Sequence, residues 1–416
     1  MNKVDQLITD LCPNGIKPIA LSEIATIVRG GNLQKKDFIQ SGVPCIHYGQ
    51  IYTKYGLSTD KAFAFISEDT ARKQKMAQKN DIIMAVTSEN IEDVCKCVVW
   101  LGNEPVAVSG HTAIISHNQD AKYLAYYFHS AMFFEQKKKL AHGTKVIEVT
   151  PDKLNNVMIP LPPIDVQREI VRILDNYSVA FDELIFKLKE ELEDRKQQYE
   201  YLANEQFPSV KGSDYEWVEL GEVATVTKLA GYEFTKYVSY SETGKIIALR
   251  GLNVKNGRLI LDDVKYIDNS ELSMLSRSKL RVGDVLFTYV GTVGQVALID
   301  ENDRFYLAPN VALIRIDDKK YIPKYMMYYF LTSKFRDEQI SKLQQTSSMN
   351  NIPMEKIRKF KLPRISMPEQ MRVVSFLEQF DELFNDIGSS IATEIEARKK
   401  QYEFYRDMLL TCKEAM

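Results

Sequence analysis

One charged, tyrosine-bearing segment occurs twice in this chain, half a chain length apart. The sequence "RKQQYEYL" spans residues 195–202 and "RKKQYEFY" spans residues 398–405, with identity at five of the eight positions. The copies lie 203 positions apart (195 to 398) in a chain of 416 residues. An internal repeat constrains the fold strongly, because each copy is expected to form one similar structural unit.

The repeat extends over the whole chain. The further matching pairs are "IALSEIATI" (19–27) with "VELGEVATV" (218–226), "NDIIMAVT" (80–87) with "GDVLFTYV" (283–290), and "YLAYYFHS" (123–130) with "YMMYYFLT" (325–332). The offset drifts from 199 to 203, which indicates that only a few loop residues differ. The segment "DQLITDLCPNG" also resembles "YEYLANEQFPS" before the second domain. The segments are therefore predicted to have a cyclic arrangement in the order helix tail, domain, helix, domain and helix.

Two long helices are predicted after the domains. Asp165 follows "LPP", and "SMPE" (366–369) has the form of a capping box with proline in the first turn. Apolar or aliphatic-stemmed residues then recur every seven positions: Leu174, Phe181, Leu188, Arg195 and Leu202, and again Leu377, Phe384, Ile391, Arg398 and Tyr405. This spacing is typical of a coiled-coil seam, and about forty residues make each helix roughly 60 Å long. Packing of each helix on its own domain is the alternative. The shared register favours mutual, antiparallel pairing.

The segments between the helices combine strand-like runs with amphipathic helices. The fold class predicted is α+β, with two similar mixed α/β domains separated by two long helices that form an antiparallel coiled coil in a pseudo-twofold cyclic repeat. The predicted segments are 1–16 for an N-terminal helix tail, 17–158 for domain 1, 159–210 for helix 1, 211–360 for domain 2 and 361–416 for helix 2.

Composition limits the class of protein. Apolar residues make up 45% and charged residues 26% of the chain, which is typical of a globular protein. The net charge of −2 neither indicates nor excludes a nucleic-acid partner, since a local basic face suffices. Five scattered cysteines lack metal-ligand spacing and suit a reducing compartment. With no signal peptide and no membrane span expected, the predicted location is the cytoplasm.

Catalytic motifs are missing from the sequence. It contains no Walker loop, Rossmann glycine fingerprint, Gly-x-Ser-x-Gly elbow or His-Glu-x-x-His pair. The Asn/Asp-Pro-Pro-Tyr motif that would hold a flipped base is also missing. The segment "GTVGQ" (291–295) is expected to be a turn between strands. We therefore expect a chain that is not itself an enzyme, with no catalytic residues and no metal site.

Polar, basic loops occur at equivalent places in the two domains. Lysine and arginine suit phosphates, whereas Asn, Gln, Thr, Ser, His and Tyr suit base edges. The residues predicted to contact phosphates are Lys35, Lys36, Lys145, Lys236, Arg277 and Lys279. The residues predicted to contact bases are Thr87, Asn90, His111, Thr144, Tyr289, Thr292, Asn310, Gln345 and Ser347. One such loop is ordinary surface, but the set on two domains favours double-stranded DNA as a partner.

These features together resemble the DNA specificity subunits of type I restriction–modification systems. The resemblance covers the whole chain and rests on the domain–helix–domain–helix order, "LPPIDVQREIVRILD" (161–175), the repeated helix ends, and "GDVLFTYVGTVGQVALI" (283–299). It implies that each domain is a target recognition domain reading one half of a split, asymmetric DNA site. It also implies that the paired helices set the spacing and dock modification subunits. The residues expected to dock two such partners are Arg195, Tyr199, Arg398 and Tyr402.

The resemblance implies cofactors on partners only. S-adenosylmethionine would serve the methyltransferase subunits, and ATP with magnesium would serve the restriction and translocase subunits. One departure limits the transfer of contacts between domains, because the first domain has "TSENIEDVCK" (87–96) where the second has "GTVG". Two alternatives stay open: a coiled-coil scaffold for protein interactions, and a divergent fused methyltransferase or restriction chain.

Overall fold

The computed structural model describes residues 3–12, 15–211, 214–229, 231–341 and 351–411. The chain divides into two compact units: unit 1 comprises Met1–Leu188 with Thr393–Met416, and unit 2 comprises Lys189–Ala392. Each unit thus contains one domain and a part of each long helix.

Unit 1 and the first long helix contain short strands and helices. In chain order they are α1 (Lys3–Leu11), β1 (Pro18–Ala20), α2 (Leu21–Ile24), β2 (Ala25–Arg29), β3 (Val43–Ile46), α3 (Tyr48–Thr53), β4 (Ser58–Thr59), β5 (Ala64–Ile66), α4 (Glu68–Ala71), β6 (Lys75–Ala77), β7 (Ile82–Ala85), β8 (Thr87–Ser88), β9 (Cys97–Trp100), β10 (Val106–Val108), β11 (Thr112–His117), α5 (Ala121–Phe128), α6 (Ala131–Leu140), β12 (Ile147–Glu148), α7 (Pro151–Leu154), β13 (Met158–Pro160) and α8 (Ile164–Glu205).

Two sheets form the domain of unit 1. One has the strand order β2-β11-β7-β9-β4 and the other β5-β3-β10-β6, with the pairs β1-β13 and β12-β8 beside them. Every residue of β7, "IIMA", is buried, as expected for a central strand covered on both faces. A hydrophobic core joins this sheet to α5, α6 and the start of α8, and Tyr123 and Phe133 are among its fully buried members.

Unit 2 repeats this arrangement with fewer strands. Its elements and the second long helix are β14 (Trp217–Glu219), α9 (Leu220–Val223), β15 (Ala224–Lys228), α10 (Gly231–Tyr237), β16 (Ile247–Leu249), β17 (Val254–Lys255), β18 (Arg258–Leu259), β19 (Val285–Thr288), β20 (Val296–Leu298), β21 (Phe305–Leu307), β22 (Val311–Ile316), α11 (Pro323–Leu331), α12 (Ser333–Phe335), α13 (Met354–Arg358), β23 (Lys361–Pro363) and α14 (Met367–Thr411). The sheet order β15-β22-β19-β20 matches β2-β11-β7-β9 of unit 1.

A buried glutamine occupies the same place in both units, in the first turns of the long helix that follows each domain. The Oε1 atom of Gln167 accepts the N–H of Asp120, and that of Gln370 accepts the N–H of Ile322. In each case Nε2 donates to a backbone carbonyl five residues before the glutamine. Both glutamines are fully buried. Because buried polar groups need partners, these bonds fasten each helix to its domain.

A second hydrogen-bonded pair also recurs. The amide of Gln136 donates to the hydroxyl of Tyr127 at 2.7 Å, and the amide of Gln339 donates to that of Tyr329 at 2.9 Å. In both units the same glutamine also bonds the backbone of the strand that precedes the long helix. The two domains therefore share the same scaffold.

The long helices run antiparallel to each other within each unit. In unit 1 the rings of Phe181 and Tyr402 stack at 5.1 Å, and Tyr177 lies 6.0 Å from Tyr405. Residue numbers rise along α8 as they fall along α14, which defines the direction. In unit 2 the ring of Tyr199 in α8 lies 5.5 Å from the ring of Phe384 in α14. Helices of 42 and 45 residues in α8 and α14, and mixed α/β domains, confirm the predicted fold class.

The end of each long helix contacts the domain core of the unit to which it belongs. Phe207 and Ala203 pack into the core of unit 2, whereas Leu410 of α14 packs into that of unit 1. Leu7 and Ile8 of α1 contact the same core as Leu410. The N-terminal helix thus lies with the end of α14, as the predicted cyclic order requires. Across the described residues, no helix is long and apolar enough to cross a membrane.

Candidate nucleic-acid interface

A polar cleft of about 540 Å³ opens at one end of the sheets of unit 1. The residues that line it are Arg29, Gly30, Gly31, Asn32, Leu33, Gln34, Lys35, His47, Tyr48, Gly110 and His111. They come from the end of β2 and the loop after it, the start of α3, and the loop before β11. Cations, amides and rings are thus gathered at the edge of a rigid scaffold, which is where binding residues commonly lie.

Two glycines allow the backbone to approach closely at this cleft. A Cβ on Gly30 would lie 2.2 Å from the carbonyl oxygen of Ser109, and one on Gly31 would lie 2.2 Å from Oε1 of Gln74. The N–H of Gly31 donates to the carbonyl of Val108 at 3.0 Å. The "RGG" of the sequence therefore fastens the loop after β2 to the end of β10.

Three rings form the floor of the cleft. The ring centroids of His47 and Tyr48 are 4.5 Å apart, and those of Tyr48 and His111 are 4.9 Å apart. The Nδ1 atom of His47 accepts the N–H of Gly49 at 3.2 Å, so the neutral ring carries its proton on Nε2. Burial, together with the charge of Lys35 and the neighbouring His111, lowers the pKa of His47. His47 is therefore a neutral hydrogen-bond donor at neutral pH.

Thr87 lies behind His111. Its Oγ1 atom is 3.1 Å from Nδ1 of His111, and its side chain is buried. The hydroxyl of Tyr52 donates to the carbonyl of Thr87 at 2.6 Å. This arrangement orients the exposed His111 ring and leaves its Nε2 as the atom available to a ligand.

Arg29 braces the loop that carries His111. Its Nε donates to the carbonyl of Gly110 at 2.9 Å, and its guanidinium also pairs with Glu148 at 2.7 Å. Lys35 and Lys36 follow in a short 3₁₀ turn and are exposed. Neither lysine forms an ion pair with any residue in the described ranges, so both ammonium groups are available to an anion.

The other predicted residues of unit 1 lie on exposed loops nearby. Thr144 and Lys145 occupy a turn closed by backbone hydrogen bonds between His142 and Glu148. Asn90 bonds Asp93 through both atoms of its amide, at 2.8 and 2.9 Å. Asn90 therefore stabilises its own turn and would have to exchange these bonds to contact a base.

In unit 2 the corresponding surface is built around Tyr289 and Asn310. The N–H of Tyr289 donates to the carbonyl of Asn310 at 3.2 Å. Burial raises the pKa of Tyr289, while hydrogen bonding by the backbone of Asn310 lowers it in part. The ammonium of Lys228 lies 5.8 Å from the tyrosine ring, and Asn310 is exposed with a positive φ of 72°. An amide, a ring and a cation thus meet at one place.

Thr292 lies in the turn between β19 and β20, which confirms the predicted strand turn. It is exposed, and its carbonyl accepts the hydroxyl of Thr288. Gly291 and Gly294 flank it with φ values of 80° and 90°, a conformation that glycine adopts without strain. The side chain of Thr292 therefore projects from a well-defined hairpin.

The three predicted cations of unit 2 already have neighbours within the chain. Arg277 pairs with Glu233 at 2.6 Å, and Lys279 pairs with Asp303. The ammonium of Lys236 lies 5.0 Å from the neighbouring tyrosine ring. A phosphate would have to compete with these partners. Gln345 and Ser347 lie outside the described residues.

Sequence reasoning missed several residues of these surfaces. Arg29 and Lys228 end the matching segments "IALSEIATIVR" and "VELGEVATVTK", so an alignment of the two halves would have placed them together. His47 and Tyr48 gave no such signal. They reach His111 because β3 pairs with β10 in parallel, with Cys45 opposite Ala107, and that pairing is not local.

The comparisons with known proteins match this architecture. A family model described as "Type I restriction modification DNA specificity domain" matches residues 13–194 and, a second time, residues 212–397. The chain belongs to the type I restriction–modification specificity subunits. Members of this family are not the catalytic components of their systems, and this specificity subunit carries two recognition domains, one in each unit.

The relatives match different shares of this specificity subunit. It is 30% identical over 266 residues to the EcoR124I/EcoR124II specificity subunit of Escherichia coli, covering 61% of this chain and 63% of that one. It is 24% identical over 387 residues to the MjaVIII specificity subunit of Methanocaldococcus jannaschii, covering 88% and 86%. A chain in a solved structure on complex assembly and conformational transition of the type I R-M system shares the fold, with a TM-score of 0.75, 18% identity, and coverage of 96% and 98%.

The helix residues predicted to dock partners differ in exposure within the specificity subunit. Arg195 pairs with Glu191 at 2.7 Å and Arg398 with Glu394 at 2.8 Å, each one turn earlier on the same exposed helix face. The ring of Tyr402 instead contributes to the pairing of the two helices, as that of Tyr199 does in unit 2. The arginines are thus placed to meet a partner, whereas the tyrosines support the helices from inside. Their docking role stays a prediction.

Proposed function

We propose that this specificity subunit selects the DNA sequence on which a type I restriction–modification complex acts, with each domain reading one half of a split, asymmetric site. The observation that carries the proposal is the contrast between scaffold and surface. The two domains share the sheet order and the buried glutamine network, yet differ in the exposed residues at the ends of their central strands. One scaffold with two sets of exposed side chains suits two different half-sites.

Local cations supply the attraction that the net charge does not. The chain has a formal net charge of −2, but Lys35 and Lys36 are exposed and unpaired among the described residues of unit 1. In unit 2, Lys228 lies at the corresponding rim. Phosphate contacts by such cations fix the position of the protein on the duplex without reading its sequence.

The paired helices set the distance between the half-sites in this proposal. Two antiparallel helices of similar length form a spacer with little freedom to change length. Both domains must meet the same side of the duplex. The centres of the half-sites are therefore expected about one helical turn apart, roughly 34 Å.

Catalysis takes place on partner subunits in this proposal. Two modification subunits, each binding S-adenosylmethionine, dock on the repeated helix ends, because that surface occurs twice in the chain. Restriction and translocase subunits supply the functions that need ATP and magnesium. This chain binds no cofactor of its own, and the complex works in the cytoplasm.

The test is adenine methylation across the genome in cells that express the neighbouring modification gene with and without this chain. A single split motif with a fixed gap is expected only when the chain is present. If the complex forms normally and methylation is the same without the chain, the domains do not select DNA. A scaffold role would then account better for the attachment of a long helix to its domain that is repeated in both units.

A further inference from the structure

One exposed residue occupies an equivalent position in each domain, immediately before the second strand in the order of its main sheet. His111 precedes β11 and Asn310 precedes β22. The N–H of Val86 donates to the carbonyl of His111 at 3.0 Å, and the N–H of Tyr289 donates to that of Asn310 at 3.2 Å. These donors directly follow the equivalent strands β7 and β19, so the two carbonyls have the same role in both sheets.

Cross-strand register gives a second, independent match. Ala113 lies opposite Arg29, and Ala312 lies opposite Lys228. Each alanine is the second residue after the position in question. A cation at the end of the edge strand therefore accompanies His111 in unit 1, where Arg29 is also paired with Glu148, and Asn310 in unit 2.

An aromatic ring is present beside both positions, although the two rings come from different elements. In unit 2 the ring is Tyr289, whose equivalent in unit 1 is the fully buried Val86. In unit 1 the ring is Tyr48, at 4.9 Å from His111. The residue of unit 2 equivalent to Tyr48 is Gly251. The N–H of Ser109 donates to the carbonyl of Ile46 and that of Ala308 donates to the carbonyl of Leu249, and Tyr48 and Gly251 each lie two residues after these carbonyls.

Duplication of one domain does not explain a ring that comes from the start of α3 in unit 1 and from the residue after β19 in unit 2. The shared requirement is local: an exposed hydrogen-bonding side chain, a flat apolar neighbour and a cation. Those groups are the ones that contact a base edge, an adjacent base or sugar, and a phosphate.

We propose that His111 and Asn310 are the corresponding base-reading residues of the two domains, and that they make the half-sites differ. This inference rests on the proposed function. The amide of Asn310 can contact N6 and N7 of adenine bidentately in the major groove, so one A·T pair is assigned to the half-site of unit 2. His111 presents a single ring nitrogen, Nε2, and therefore reads a different base edge in the half-site of unit 1.

The main variants are His111→Asn and Asn310→Gly. Asn310 has a positive φ of 72°, which glycine adopts without strain, so the second variant removes the amide and keeps the loop. Asn80→Gly is the matched control, because Asn80 is exposed with the same φ of 72° and its counterpart in the repeat is already Gly283. Each variant is produced in complex with the modification subunits.

The experiment maps methylated motifs and measures competition by duplexes substituted at each base pair. Asn310→Gly should relax one A·T position in a single half, with a loss of discrimination of about 5- to 150-fold there. His111→Asn should introduce a preference for adenine at one position of the other half. The control should leave both halves unchanged.

Two results would overturn the inference and leave the proposed function standing. One is an unaltered split motif with both variants. The other is equal weakening on the cognate and on every substituted duplex, which the competition assay detects even when methylation is too slow to map. If the unmodified complex shows no split motif at all, the proposed function itself is wrong.

Discussion

At the scale of single residues, the structure separates free cations from paired ones. Lys35 and Arg277 were both predicted from the sequence to contact phosphate. Lys35 lines the cleft of unit 1 with no ion pair in the described part of the chain, whereas Arg277 is held by Glu233. The energetic cost of recruiting each to DNA should therefore differ, because Arg277 must first give up a partner.

Changing Lys35→Ala should weaken binding to cognate and scrambled duplexes alike. It should also reduce the slope of log affinity against log salt by about one unit, because one phosphate contact is lost. Arg277→Ala is the matched comparison and should change the slope less. Titrations of the complex with duplex at several salt concentrations measure both. A Lys35→Ala slope equal to that of the unchanged protein would contradict the assignment.

The buried glutamines give a prediction for stability. Gln167→Ala should lower the free energy of unfolding of unit 1 by about 1–3 kcal/mol, since buried partners of its amide lose their hydrogen bonds. Gln40→Ala, at an exposed position of the same unit, should change it by less than about 0.5 kcal/mol. Urea unfolding followed by the fluorescence of the buried Trp100 reports on unit 1. Equal effects of the two substitutions would argue against the fastening role of Gln167.

At the scale of elements, periodic features were predictable and non-local contacts were not. The seven-residue recurrence from Leu174 to Leu202 predicts a long helix with a seam, because helix pairing depends on a pattern that is local in sequence. The cleft of unit 1 depends instead on β3 lying beside β10, which brings Tyr48 to His111 across 63 positions (48 to 111). No sequence periodicity indicates such a pairing, so Tyr48 was found only from the fold.

The seam itself can be tested with two phenylalanines of α8. Phe181 stacks on Tyr402, whereas Phe186 is 61% exposed. Phe181→Ala should destabilise the pairing by about 1–3 kcal/mol and speed hydrogen exchange in residues 393–411. Phe186→Ala should leave that exchange nearly unchanged. If both variants exchange at the rate of the unchanged protein, the aromatic stack contributes little to the seam.

At the scale of the whole molecule, all five histidines belong to the first domain, so the units should differ in acid sensitivity. Burial is the largest cause that lowers the pKa of His47, His117 and His129. Their unfolded value is about 6.5, so the unfolded chain binds protons first as the pH falls. The stability that unit 1 gains from keeping these histidines neutral is therefore fully present above that value and is lost progressively as the pH falls below it.

Lowering the pH from about 7.5 to about 5.5 should thus reduce the urea midpoint of unit 1 more than that of unit 2. Each unit has its own tryptophan, Trp100 in unit 1 and Trp217 in unit 2. Chains with Trp217→Phe or Trp100→Phe report the two transitions separately by fluorescence. A midpoint that falls as far for unit 2 as for unit 1 would contradict the role of the buried histidines.

Exchange of one domain, with the rest of the chain left in place, tests whether each domain reads its own half-site. Residues 17–158 are replaced by the corresponding domain of a relative with a different target, and methylated sites are mapped in cells that express the modification gene. One half of the split motif should change, while the other half and the gap between them stay the same. A change in both halves, or in neither, with the complex intact would contradict the claim that each domain reads its own half-site.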